Sequence, residues 1–125
     1  MQKRRPKFLD IAKIRLSIPA IVSILHRASG VGLFIFLPLI LWLFSGTLSD
    51  ESAFNTYQTW VHNPLVIIIL IGLLWAYLHH AFAGIRFLFL DVHKGLELST
   101  ARATSKIVFV SAIVLTVLIA GACLL

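Results

Sequence analysis

At 125 residues, with 59% hydrophobic and only 13% charged side chains, the chain carries more apolar surface than a soluble domain of its size can hide. Its formal charge of +6, eleven Lys and Arg against five Asp and Glu, would suggest nucleic acid in a soluble protein, but the mean hydropathy of +0.96 and the placement of the charges exclude that reading. The single cysteine, Cys123, excludes an intrachain disulfide and offers no pair for zinc or an iron–sulfur cluster.

Residues 1–17 form a basic lead-in, expected to lie at the membrane interface. It is too polar for a cleaved signal peptide and leads directly into an apolar stretch, so it is expected to stay on the chain. A first span is expected over about 18–44. Pro19 suits the first helical turn, Pro38 is expected to kink the helix, and Ala28–Phe44 carries no charge. The polar stretch Ser45–Asn63 is an outer loop, with a short surface helix expected over Ala53–Trp60. Trp42, Tyr57 and Trp60 make a modest aromatic belt.

A second span is expected over about 64–91, uncharged through Pro64–Leu78. Gly95–Ser105 reads as an inner loop with Ser99 or Thr100 as helix cap, and a third span follows over about 104–125. The alternating segments of a membrane β-barrel are absent from the sequence. The chain is therefore expected to be an all-α integral membrane protein with three transmembrane helices in a single anchor domain.

Charge sets the expected orientation. Lys3, Arg4, Arg5, Lys7, Lys13 and Arg15 precede the first span, and Lys94, Arg102 and Lys106 lie between the second and third. The first connecting loop has Asp50 and Glu51 and no Lys or Arg. The positive-inside rule places the N-terminus inside and the C-terminus outside.

Ionisable residues within spans are expensive and need a partner or a task. The first span opens with Ser23, His26, Arg27, Ser29 and Gly30, while the second closes with His79, His80, Gly84, Arg86 and then Asp91. Antiparallel spans bring both sets to one depth at the inner face. Ser23 and Arg27 share a helical face and suit a ligand carbonyl or carboxylate; Arg27 reaching to lipid phosphates is the plainer alternative. His80 with Gly84 one turn on suits haem, imidazole binding iron and glycine admitting the flat macrocycle. An interhelical hydrogen bond explains either histidine equally well. His79 points about 100° away from His80, so the two cannot bind one iron. A bis-histidine haem then requires a partner chain, unless His26 supplies the second ligand. Arg27 and Arg86 are candidates to neutralise haem propionates. Asp91, His62 and His93 read as solvated.

Arg5-Pro6, Leu9-Asp10 and Ile14-Arg15, then Ser23-Ile-Leu-His26-Arg27-x-Ser29-Gly30, and His80-x3-Gly84-Ile-Arg86 with Asp91, resemble the cytochrome b subunit family of succinate dehydrogenase, in its bacterial form. The resemblance spans most of the chain. It implies a membrane anchor in the bacterial inner membrane for a flavoprotein subunit and an iron–sulfur subunit, paired with a second small membrane-anchor subunit. It also implies haem b shared with that second anchor, His80 as axial ligand, and His26, Arg27, Gly84 and Arg86 around the haem. Ser23 and Arg27 match positions for ubiquinone, the electron acceptor. Succinate oxidation would lie on other subunits. The family usually has His after Gly-Ile-Arg; Phe87 stands there instead. Rival readings are a fumarate reductase anchor working with menaquinol, and a haem-free membrane assembly or transport protein.

Overall fold

The computed structural model describes residues 12–125, so most of the expected interfacial lead-in lies outside the described residues. Four helices follow in order: α1 (Ile18–Leu48), α2 (Glu51–Val61), α3 (Pro64–Asp91) and α4 (Leu98–Leu124). No strand occurs among the described residues. At 31, 28 and 27 residues, α1, α3 and α4 are each long and apolar enough to cross a membrane. At 1.5 Å per residue they reach roughly 40–46 Å, beyond the ~30 Å hydrocarbon core. The chain is all-α with three candidate spans.

Local chemistry explains most helix ends. Pro19 stands at the start of α1 and Pro64 at the start of α3, where the missing N–H has no helical partner to lose. Asn63 caps α3, its side chain accepting from the Leu65 amide at 2.9 Å, and Asp50 caps α2, accepting from the Ala53 amide at 2.8 Å. Helix α2 lies where the short surface helix was expected, and Asp50 and Glu51 at its start suit the positive end of its dipole.

Two boundaries differ from the expected spans. Helix α1 continues past residue 44 to Leu48, where the hydroxyls of Ser45 and Thr47 donate to carbonyls one turn back. These internal bonds keep polar residues compatible with a helix outside the apolar block. Helix α4 begins at Leu98, ahead of the span expected from 104. Its cap position is Glu97 rather than Ser99 or Thr100, and Glu97 makes no side-chain capping bond. Pro38 is accommodated within the continuous α1.

Helix α3 is the central element, packed on α1 along one side and on α4 along the other. The start of α1, the end of α3 and the start of α4 meet at one end of the bundle, which carries Arg15, Lys94, Arg102 and Lys106 and is called the basic end below. Val22, Ala83 and Val108, one from each long helix, form a small buried core, with Ile18, Phe82, Phe87 and Phe109 packed around it. Outside this core the chain presents large apolar side chains: Phe34 is 78% exposed and Leu88 66%. Such a surface is stable only against lipid or other apolar partners.

At the other end, α2 folds back onto α1. Gly46 makes this possible, because a Cβ there would stand 2.9 Å from Tyr57 Cβ. The Trp42 and Trp60 rings meet edge-on at 5.9 Å, bringing together two members of the expected aromatic belt.

Candidate functional site: a histidine pair between two spans

The first turns of α1 supply Ser23, His26, Arg27, Ser29 and Gly30, and the last turns of α3 supply His79, His80, Gly84, Arg86 and Phe87. Antiparallel packing of α1 on α3 brings these clusters together at the basic end, as their spacing within the two spans predicts. The rings of His26 and His80 stack at 4.3 Å between centroids, only 9° from parallel. Phe87 leans on the other side of His26 at 5.1 Å.

His80 is held in one orientation. Its Nδ1 lies 3.1 Å from the backbone carbonyl of His26 and 3.4 Å from Ser29 Oγ. A carbonyl only accepts, so Nδ1 donates a proton to it, and in the uncharged tautomer that this contact selects the lone pair sits on Nε2. Ser29 Oγ itself donates to the same His26 carbonyl at 2.9 Å. Gly30 sits beneath the ring, where a Cβ would come within 2.9 Å of His80 Cε1. Any larger residue there must displace the imidazole. His26, in turn, occupies the space over Gly84, with Nε2 3.6 Å from where a Cβ would stand. The glycine expected to admit a macrocycle here admits a histidine ring.

His80, His26, Arg27, Gly30, Val31 and Phe34 line an open groove on the outer surface of the α1–α3 pair. This arrangement fits a haem-ligating role for His80: an imidazole with one nitrogen tied to a carbonyl and the other without a hydrogen bond among the described residues, in a groove with an apolar wall and a cation. It does not make His26 the second axial ligand. Imidazole lone pairs lie in the ring plane, so two parallel stacked rings direct them side by side rather than toward one iron between them. Among the described residues, no group of three or more His, Cys, Asp or Glu side chains is placed to hold a metal ion.

Arg27 is exposed and lines the groove, while Ser23, one turn earlier, is half-buried and makes no hydrogen bond among the described residues. Both keep donors available for a ligand. His79 and Arg86 face elsewhere. His79 is fully buried, stacked on Trp75 at 5.1 Å and edge-on to Phe109 at 6.4 Å. The Val22 backbone faces its ring, but neither ring nitrogen reaches a partner in hydrogen-bond geometry. Arg86 is buried toward α4, its Nε donating to Thr104 Oγ1 at 3.0 Å and its Nη2 to the Ala101 carbonyl at 3.2 Å. The structure therefore does not bring Arg86 into the His26–His80 groove. Ser29 and Gly30, by contrast, are given no separate role by their sequence pattern. Their signal was their spacing, three and four residues after His26, which places them on the face that meets α3.

An all-α chain with three helices long and apolar enough to cross a membrane defines a class: a multi-span helical membrane protein. Comparison with known proteins specifies it. Residues 1–119 match the family model described as succinate dehydrogenase/fumarate reductase transmembrane subunit, and the chain belongs to this family. It is 36% identical to the succinate dehydrogenase cytochrome b556 subunit of Coxiella burnetii, over 94% of this chain and 95% of that one. It is 35% identical to the protein of the same name in Paracoccus denitrificans, over 91% and 88% respectively. The corresponding Rickettsia felis protein is 30% identical over 93% and 90%.

Proposed function

We propose that this chain is the cytochrome b anchor of a bacterial succinate:quinone oxidoreductase, seated in the inner membrane with the basic end inside. In this reading it holds a flavoprotein and an iron–sulfur subunit at the membrane, shares haem b with a second small anchor subunit, and contributes to a ubiquinone-reduction site. The observation that carries the reading is His80, its Nδ1 proton committed to the His26 carbonyl and its Nε2 free beside a groove. The names of these three relatives, each a succinate dehydrogenase cytochrome b556 subunit, support the succinate direction over fumarate reduction.

His80 would hold the haem iron through Nε2, with His26 and Arg27 beside it and the other anchor supplying the rest of the site. When bound, haem b supplies reversible one-electron storage. This chain's own part in that chemistry is mechanical and electrostatic. The His26 carbonyl fixes the tautomer and ring orientation of His80, and Gly30 leaves room for the ring.

At the quinone, Arg27 and Ser23 act as donors to a carbonyl oxygen. A guanidinium beside that oxygen stabilises the negative charge that grows there as electrons arrive from the iron–sulfur subunit. Protons enter from the inner aqueous face. No nucleophile is required, and succinate is oxidised on the flavoprotein.

Arg27→Leu in the assembled complex tests this reading. Loss of a charge-assisted donor worth about 1.5–3 kcal/mol is expected to lower succinate-driven ubiquinone reduction by roughly tenfold to a hundredfold. Succinate-driven reduction of a soluble artificial acceptor should be unchanged. Ubiquinone reduction at the unsubstituted rate would remove Arg27 from the site.

A further inference from the structure

On the side of α3 away from the histidine pair, a cleft of about 370 Å³ opens between α3 and α4 at the basic end. Its walls are almost wholly apolar, from Phe82, Phe89, Leu90 and Ile107, and Arg86, Lys94 and Thr104 also line it. From Phe82 to Leu90 the apolar wall runs about 12 Å along the α3 axis. Its volume falls within the ~300–1,000 Å³ usual for small-ligand sites.

Arg86 gives the cleft its chemistry. The residue is only 7% exposed, and its two hydrogen bonds go to a hydroxyl and a carbonyl, neither of which carries charge. No carboxylate lies within ion-pair distance of Arg86 or Lys94 among the described residues, although Asp91 and Glu97 stand at the same end of the bundle. Arg86 Nη1 makes no hydrogen bond among the described residues. A buried cation without a counter-charge is costly, and in membranes such cations are paired. The cleft beside this one is an apolar trough with Arg86 midway along its α3 wall and Lys94 at its basic end.

We infer that the α3–α4 cleft binds an anionic phospholipid, its phosphate on Arg86 and Lys94 and one acyl chain along Phe82, Phe89 and Ile107. The phosphate supplies the counter-charge that Arg86 lacks. The acyl chain covers apolar wall that a free inorganic phosphate would leave bare. The left-handed turn that ends α3, with His93 at φ 62° and Gly95 at φ 76°, turns the chain sharply there and places Lys94 at the cleft's mouth.

The test uses the complete complex in neutral detergent and phosphatidylglycerol bearing a photoreactive group on one acyl chain, with crosslinked peptides mapped by mass spectrometry. Labelling is expected on the α3 and α4 segments around Phe89 and Ile107. Unlabelled phosphatidylglycerol should compete, whereas phosphatidylcholine and inorganic phosphate should not. Lys94→Gln should weaken labelling about fivefold, the effect of one basic side chain at an anionic lipid surface. Arg86→Gln should do at least as much; if that variant fails to assemble, Lys94→Gln decides alone. Equal competition by phosphatidylcholine, competition by inorganic phosphate, or labelling indifferent to Lys94→Gln would overturn the proposal. So would a chemical crosslink showing a carboxylate of another subunit seated on Lys94.

Discussion

At the scale of single residues, the site depends on contacts of a few tenths of an ångström. Gly30 and His80 illustrate this, since even a methyl group on Gly30 would stand 2.9 Å from the ring. Tightly packed interiors absorb such intrusions by moving side chains off their rotamers, at about 1–3 kcal/mol. Gly30→Ala is therefore expected to leave the complex assembled but to tilt His80 away from the His26 carbonyl. A shifted or diminished b-type absorption spectrum would report the change, and an unaltered spectrum would show that the ring has slack the structure does not reveal. His79 is the contrasting neighbour. It is fully buried, packed on Trp75 and Phe109 with the Val22 backbone facing its ring, and does not line the groove.

At the scale of elements, the histidine cluster and the α1–α3 pairing were legible in the sequence, because expensive residues in two antiparallel spans must meet at one depth. The partition of that cluster was not. Seven residues apart on a helix, His79 and Arg86 share a stripe, and which neighbour that stripe faces depends on where α4 lies. Only packing settles that, and it turns Arg86 toward Thr104 and Ala101. The end of α3 at Asp91 falls where the second span was expected to stop, but the way it closes needed the structure. The His93 amide donates to the Leu90 carbonyl and the Lys94 amide to the Phe89 carbonyl, closing the helix through a left-handed His93. Strain at that histidine leads to a second expectation. His93→Gly should stabilise the chain by about 0.5–1 kcal/mol, the relief of a left-handed side chain less the entropy glycine adds to the unfolded state. A higher thermal midpoint of the complex would bear this out, and a lower one would show that the contact of His93 Nδ1 with the Asp91 carbonyl outweighs the strain.

For the whole molecule, composition already excluded a soluble fold, and the three long helices follow from blocks of uncharged residues. The exposed apolar surface is left to lipid or other apolar partners, and in the proposed reading the rest of the haem site falls to another chain, because one His80 Nε2 offers one ligand. Orientation is a property of the whole chain, and the basic residues gathered at one end carry the proposal that this end lies inside. Cys123 lies exposed at the far end of α4, on the opposite side of the bundle from Lys94. A membrane-impermeant maleimide is expected to label it from the outer face and not from inside-out vesicles; the reverse pattern would invert the topology.

The central claim is that His80, and not its neighbour, holds haem iron for this subunit. The most direct measurement is a reduced-minus-oxidised absorption spectrum of the purified complex carrying His80→Ala, beside one carrying His79→Ala. Loss or strong perturbation of the b-type signal is predicted for His80→Ala, with the signal retained in His79→Ala. A b-type spectrum that survives His80→Ala and disappears with His79→Ala would contradict the account.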